Sequence, residues 1–283
     1  MMYGVTGATG ELGSLVVSQL INLGVQPSSI IGLARNRSKA AHLEKQGITV
    51  RIGDYDDQAS LRKAFTGVDR LLLISGSEVG KRAAQHQNVI EAAQAAGTKT
   101  IAYTSISRAD TSNNPLAPEH KATEELLRHS GLTSVILRNN WYAENYTGDI
   151  RAARDSGTIA AAAGDGKVAS ASKSDYAEAA AKVLVSESYD GMTLELAGTP
   201  WNYEQLASAA GKALGKDIRY ERISIEERKQ RLVAAGMPEA GAAFYAQLDE
   251  SIAAGTLDIS SSDLEKVLER PPLSLEEQVK KLL

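Results

Sequence analysis

Met2-Tyr3-Gly4-Val5-Thr6-Gly7-Ala8-Thr9-Gly10-Glu11-Leu12-Gly13 is the stretch on which the fold turns. Met2 to Val5 reads as a first buried strand, and Leu12, Leu15, Val16, Leu20 and Leu23 recur at helical spacing behind it. Strand, glycine turn and helix in that order form a dinucleotide-binding turn. Gly7 permits the tight turn, Gly10 lets backbone N–H groups approach a pyrophosphate, and Gly13 lets helix and strand pack closely. The spacing is GxxGxxG, so the pattern alone is also compatible with a ligand-free loop.

Further along, short apolar segments alternate with helical patterns. The strands are Ile30 to Ala34, Thr49 to Ile52, Arg70 to Ile74, Thr100 to Thr104 and Ser134 to Arg138. Gly24, Gly67, Gly97 and Gly131 close the intervening helices. This alternation implies α/β architecture, a doubly wound Rossmann-type parallel sheet with ligand beyond its carboxyl ends. Residues 1–140 form the expected nucleotide-binding domain. Residues 141–283 form a smaller, mostly helical capping region, with a helix over Tyr176 to Val185 and a strand near 193–197 that returns to the main sheet. Ser224 with Glu227 and Ser274 with Glu277 read as capping boxes, the second after the Pro271-Pro272 stop.

The 283 residues contain no cysteine, which excludes disulfides, thiolate metal sites and cysteine nucleophiles. No metal site is expected. A net charge of -4 without a basic block argues against nucleic acid, and no apolar run is long enough for a membrane span. A cytoplasmic protein is expected, and a homodimer stays open.

At the end of the second strand, about twenty residues past the last glycine, an NAD site would carry an acid. Here stand Arg35, Asn36 and Arg37. A guanidinium there pairs with a 2′-phosphate, so NADP(H) is the expected cofactor, unless both arginines merely solvate a loop. After the third strand, Asp54 beside Tyr55 is the adenine candidate and Asp57 a helix cap. Ser75, Gly76, Ser77 and Glu78 follow the fourth strand, where the small Ser75, Gly76 and Ser77 let backbone approach the nicotinamide half of the cofactor, or else form a merely flexible loop. Tyr103 and Thr104 at the exit of the fifth strand would border the cofactor. Ser105, with Asn139, Asn140, Trp141 and Tyr142 after the sixth, would border a planar substrate or else pack between domains.

GATGxxG, Arg35, the ISGSEVG loop, RAAQHQNVIEAA, HKATEELL, LRNNWYAENY, AAAGDGK, SKSDYA and RPPLSLEE together resemble atypical short-chain dehydrogenase/reductases of the NmrA-like family. Within it the chain is most similar to the type-2 NAD(P)H:quinone oxidoreductases, with triphenylmethane reductases as relatives. The resemblance implies NADPH-dependent, flavin-free reduction of quinones, with Gly7, Ala8, Thr9, Gly10, Glu11, Leu12, Gly13 and Arg35 holding the cofactor. The wider superfamily's Tyr-x-x-x-Lys pair is absent: Lys121 resembles its lysine, and Ala117 stands where the tyrosine would be. Alcohol chemistry needs that proton, whereas a quinone gains aromaticity with the hydride and can draw its proton from solvent. His120 is the substitute donor to consider, against an ordinary exposed or capping histidine, and Lys121 the partner. The alternatives are a non-catalytic NADP-binding redox sensor and a reductase of triphenylmethane-type dyes.

Overall fold

The first half of the chain alternates strand and helix without exception, and the computed structural model describes all of residues 1–283. In order come β1 (Tyr3–Val5), α1 (Glu11–Asn22), β2 (Ile30–Ala34), α2 (Ala41–Lys45), β3 (Thr49–Ile52), α3 (Gln58–Phe65), β4 (Arg70–Leu73) and α4 (Arg82–Ala95). They are followed by β5 (Thr100–Ile106), α5 (Ala117–His129) and β6 (Thr133–Asn139). Gly24, Gly67, Gly97 and Gly131 all take positive φ behind the helices they end. β5 runs past the expected Thr104 because Ser105 and Ile106 still pair with Arg138 and Asn139 of β6.

Beyond β6 the chain alternates between two bodies. α6 (Thr147–Ser156), β7 (Thr158–Ala161) and β8 (Lys167–Val168) begin the smaller region. α7 (Lys173–Val185) and β9 (Thr193–Leu196) then return to the main sheet, where β9 pairs parallel with β6. α7 begins three residues before Tyr176 because the Ser172 hydroxyl caps it, accepting from Asp175 N–H. The chain crosses back through β10 (Trp201–Asn202), α8 (Tyr203–Leu214), β11 (Arg219–Arg222), α9 (Ile225–Ala234) and α10 (Glu239–Ala253). It closes with α11 (Asp263–Leu268), which packs on α7 and β9, and α12 (Leu275–Leu282), which packs on α8.

The main sheet has the order β3-β2-β1-β4-β5-β6-β9, parallel throughout. On one face α1 lies against α7, whose fully buried Ala177, Ala180 and Ala181 allow close approach. α3, α4 and α5 cover the other face over Phe65, Leu71 and Tyr103. Arg70, 3% exposed at the start of β4, fastens the pole opposite the carboxyl ends. Its guanidinium donates to Leu184 C=O (2.7 Å), Ser186 C=O (3.0 Å) and the Asp190 carboxylate (2.6 Å). A buried guanidinium requires such complete pairing.

The smaller region has its own core, in which Tyr146, Trp201 and Tyr203 meet edge to face. Two short pairs, β7 with β11 and β8 with β10, frame it. α9 buries no side chain fully and is held by Arg228, which reaches Asp149, Asp249 and Ala160 C=O. No helix is long and apolar enough to cross a membrane.

Candidate functional site

The strand order reverses between β1 and β4, which opens a crevice at their carboxyl ends. It is an open cleft of about 520 Å3. Gly7, Thr9 and Gly10 form its floor, Arg35, Asn36 and Lys39 one end, Asp54 and Tyr55 a side, and Ile74 to Glu78 with Gln85 the facing wall.

The floor is shaped for an anion. Gly7 takes φ +58°, and its carbonyl accepts from Gly10 N–H at 2.9 Å, curling the turn under the start of α1. Gly10 is the N-cap, and no side chain caps the helix, so its first N–H groups and its positive dipole end are left open there. A Cβ on Gly13 would lie 2.2 Å from Gly7 C=O. Gly13 therefore serves helix–strand packing. Ala8 is fully buried, its N–H donating to Leu33 C=O, and the Leu12 side chain lies in the core. Those two side chains are scaffold, a correction to a contact role for them, and any contact with a ligand falls to the backbone. Glu11 points out and pairs with Lys173 of α7, tying the two helix starts together.

Arg35 is well exposed and meets Glu78 across the cleft at 3.4 Å. Lys81 holds the Glu78 carboxyl below its usual range, mainly through a direct hydrogen bond. Arg37 turns away to Glu44, and Lys39 lines the cleft instead. The signal for Lys39 was a third cation, after Arg35 and Arg37, in the same short segment. Asp54 accepts from Asp56 N–H within its own turn, and Asp57 caps α3 through Ala59 and Ser60 N–H. The Tyr55 hydroxyl donates to Ile74 C=O at 2.9 Å and can accept from the Thr6 hydroxyl 2.6 Å away, and burial raises the phenol's pKa far above its ordinary value.

Several expectations fail for a shared reason: their side chains point into the protein. Tyr103 lies mid-strand with its ring in the core and its hydroxyl 2.7 Å from His120 Nδ1. His120 is 5% exposed, and burial, reinforced by Arg82 and His86, drives its pKa well below the ordinary value. It is neutral and sequestered, so it is no proton donor. Lys121 is exposed and makes no hydrogen bond or ion pair. Thr104 is buried and accepts from Ser75 N–H at 2.9 Å, acting on the loop. Ser105 donates to Glu124, which also holds Arg138 at 2.7 Å. That buried group is structural, not a substrate contact.

At the exit of β6, Asn140 is consumed by Ser107 Oγ, Leu257 C=O and Trp141 N–H, and Trp141 packs on the smaller core. Both serve the junction between the two bodies. Asn139 and Tyr142 differ. The Asn139 amide nitrogen donates to the Tyr142 hydroxyl at 3.3 Å while its Oδ1 is buried without a partner. The Tyr142 ring stands edge-on to Tyr176, with the Lys173 ammonium 5.7 Å from its centroid.

The sequence pattern of the NmrA-like family matches residues 4–277. The chain is 46% identical to quinone oxidoreductase 2 of Escherichia coli (strain K12) over 282 residues, 99% of this chain and 98% of that protein. A crystal structure of the Escherichia coli NADPH-dependent quinone oxidoreductase complexed with NADPH superposes with a TM-score of 0.96, covering 99% of both chains at 46% identity. Citrobacter sp. triphenylmethane reductase complexed with NADP(H) also superposes with a TM-score of 0.96, at 40% identity, covering 99% of this chain and 100% of that one.

Proposed function

This chain belongs to the NmrA-like family, and on that premise we propose that it is an NADPH-dependent reductase that passes a hydride directly to a quinone, without flavin. The observation that carries the reading is the single cleft in which an uncapped helix start, Gly10 and two cations, Arg35 and Lys39, line one surface. A pyrophosphate and a 2′-phosphate carry the negative charge that such a helix start and such a pair of cations attract. The turn Gly7 to Gly13 would take the pyrophosphate on its N–H groups, Arg35 and Lys39 the 2′-phosphate, and Asp54 with Tyr55 the adenine side. Ser75 to Glu78 would flank the other half of the dinucleotide. When bound, NADPH supplies two electrons and a hydrogen as hydride.

The chain's part is mainly positioning. Ile74 to Gly76 are held rigidly against the cleft, and the exit of β6, with Asn139 and Tyr142, is the proposed acceptor side. A quinone that accepts hydride becomes an aromatic hydroquinone once a proton joins its oxygen. With His120 and Tyr103 both buried, that proton comes from solvent, and Lys121 is the one candidate of the pair still open to test by Lys121→Met. Triphenylmethane dyes are a second acceptor class, supported by the 40% identical relative. A sensor without turnover is not favoured, since relatives 46% and 40% identical over nearly the whole chain are named a quinone oxidoreductase and a triphenylmethane reductase.

The decisive experiment mixes flavin-free protein with NADPH and a benzoquinone and follows loss of the reduced-nicotinamide absorbance. Stoichiometric hydroquinone is expected. No turnover across several quinones and a triphenylmethane dye would refute the proposal.

A further inference from the structure

Three consecutive residues leaving β4 have backbone groups held by five side chains from elsewhere in the chain. Ile74 N–H donates to Thr6 Oγ1 and Ile74 C=O accepts from Tyr55. Ser75 N–H donates to Thr104. Gly76 N–H donates to His86 Nε2 at 2.9 Å, and Gly76 C=O accepts from Arg82 Nε at 2.8 Å. Arg82 is itself fixed by Glu119 at 3.1 Å. The loop that walls the cleft is therefore shaped by side chains that do not belong to it.

The bond from Gly76 determines the state of the imidazole. A backbone N–H only donates, so His86 Nε2 must be bare, and a neutral ring then carries its proton on Nδ1. Nδ1 lies 2.9 Å from Thr123 Oγ1, whose own hydroxyl donates to Glu119 C=O. Thr123 can thus accept from Nδ1, which completes a one-way chain from Gly76 through His86 and Thr123 to the backbone of α5. Both side chains are fully buried. Burial, followed by the charge of Arg82, lowers the His86 pKa to about 3, so the accepting lone pair persists through the neutral range.

We propose that His86 is a positioning residue for the dinucleotide: with its proton held on Nδ1 by Thr123, it fixes Gly76 and keeps the Ile74–Gly76 wall in its binding shape. The proposal rests on the reading of the cleft as an NADPH site. It differs from a core-filling role in what it predicts. A histidine that only fills space would affect thermal stability and leave nucleotide affinity alone. A positioning histidine affects NADPH and NADH by the same factor, because the wall lies apart from the 2′-phosphate cations.

The test titrates NADPH and NADH against the wild type, His86→Leu, His86→Gln and Thr123→Val by protein fluorescence, alongside Tm, kcat and KM. Gln offers an amide oxygen near the Nε2 position, Leu offers none, and Val removes the hydroxyl that locks the tautomer. His86→Leu is expected to weaken both nucleotides about tenfold, the value of one buried hydrogen bond. Thr123→Val should weaken them about threefold at nearly unchanged Tm, and His86→Gln should recover most of the loss. KM for the nucleotide should rise while KM for the quinone stays. Wild-type affinity in both His86→Leu and Thr123→Val, or a His86→Gln no better than His86→Leu, overturns the proposal. If His86→Leu does not fold, Thr123→Val and His86→Gln decide it. A wild type that binds neither nucleotide overturns the NADPH reading itself, a separate outcome.

Discussion

Replacing Arg35 with serine should separate NADPH from NADH. The Arg35 side chain is 67% exposed and its only partner is Glu78 at 3.4 Å, so the fold loses almost nothing when it goes. What goes is a charge-assisted contact to a 2′-phosphate, worth about 1.5–3 kcal/mol where desolvated. Exposure places it at the low end, and Lys39 remains in the same cleft. About 1.5 kcal/mol corresponds to a rise of roughly tenfold in the NADPH dissociation constant. NADH has no such phosphate, so its constant should move by less than about twofold. Adding Lys39→Ser should multiply the NADPH loss again, because two cations then leave one anion. Titration of both nucleotides at one fixed salt concentration reads the ratio directly. Equal weakening of NADPH and NADH by Arg35→Ser, or no discrimination in the double variant, would refute the assignment of this end of the cleft.

Gly13→Ala should abolish nucleotide binding and lower Tm, because the new Cβ would fall 2.2 Å from Gly7 C=O and 2.8 Å from Ala8 Cα, and the backbone of the turn would have to move; a variant with wild-type Tm and affinity would contradict this geometry. Arg138→Ala should destabilise the protein by about 3–5 kcal/mol in urea melts, since it strands the buried Glu124 carboxylate; a loss below about 1 kcal/mol would mean that the pair is solvated. His86 makes stability pH-dependent with a definite sign. Its pKa is about 3 when folded and about 6.5 when unfolded, so between those values the unfolded chain binds the extra proton and stability falls as pH falls. The contribution is complete above about pH 6.5, and its loss approaches about 5 kcal/mol near pH 3. His120, lowered in the same direction, adds to it. Urea melts across that range should show the slope, and His86→Gln should flatten it; a slope unchanged by that substitution would refute the assignment.

The sheet was legible because its strands are short runs, continuous and apolar in β2 and alternating in β3 and β9, set off by glycines and helical patterns. Ile30–Ala34, Thr49–Ile52 and Thr193–Leu196 coincide with β2, β3 and β9. The glycine floor and Arg35 were legible because their backbone demands and charge are local. The direction of side chains was not. All seven residues of β5 are buried, so no polar–apolar alternation marks which face Tyr103 or Ser105 takes. The helices mislead in a related way. The buried face of α5 includes His120, Thr123, Glu124 and Leu127, and that of α4 includes Arg82, Gln85, His86 and Val89. Both are polar on the inside at helical spacing. A pattern rule reads those residues as exposed, which left His120, beside Lys121 and the missing tyrosine, open as a substitute donor and passed over His86. Lys39 was missed because a short turn, begun by the Asn36 side chain, brings it back to the cleft.

Arg70 has a consequence for how the chain is made. It leaves the ribosome about 120 residues before Asp190, the carboxylate that neutralises it, and before the Leu184 and Ser186 carbonyls that complete its shell. Until that later segment emerges, Arg70 has Thr100 alone among its side-chain and carbonyl partners, and the face of β4, β5 and β6 that α7 covers is bare. Synthesis of the first 140 residues therefore leaves one face of the nucleotide-binding half without the helix that shares its core. The growing chain gains that cover only with α7 and its following turn, so fragments ending earlier expose apolar surface of the kind that chaperones bind.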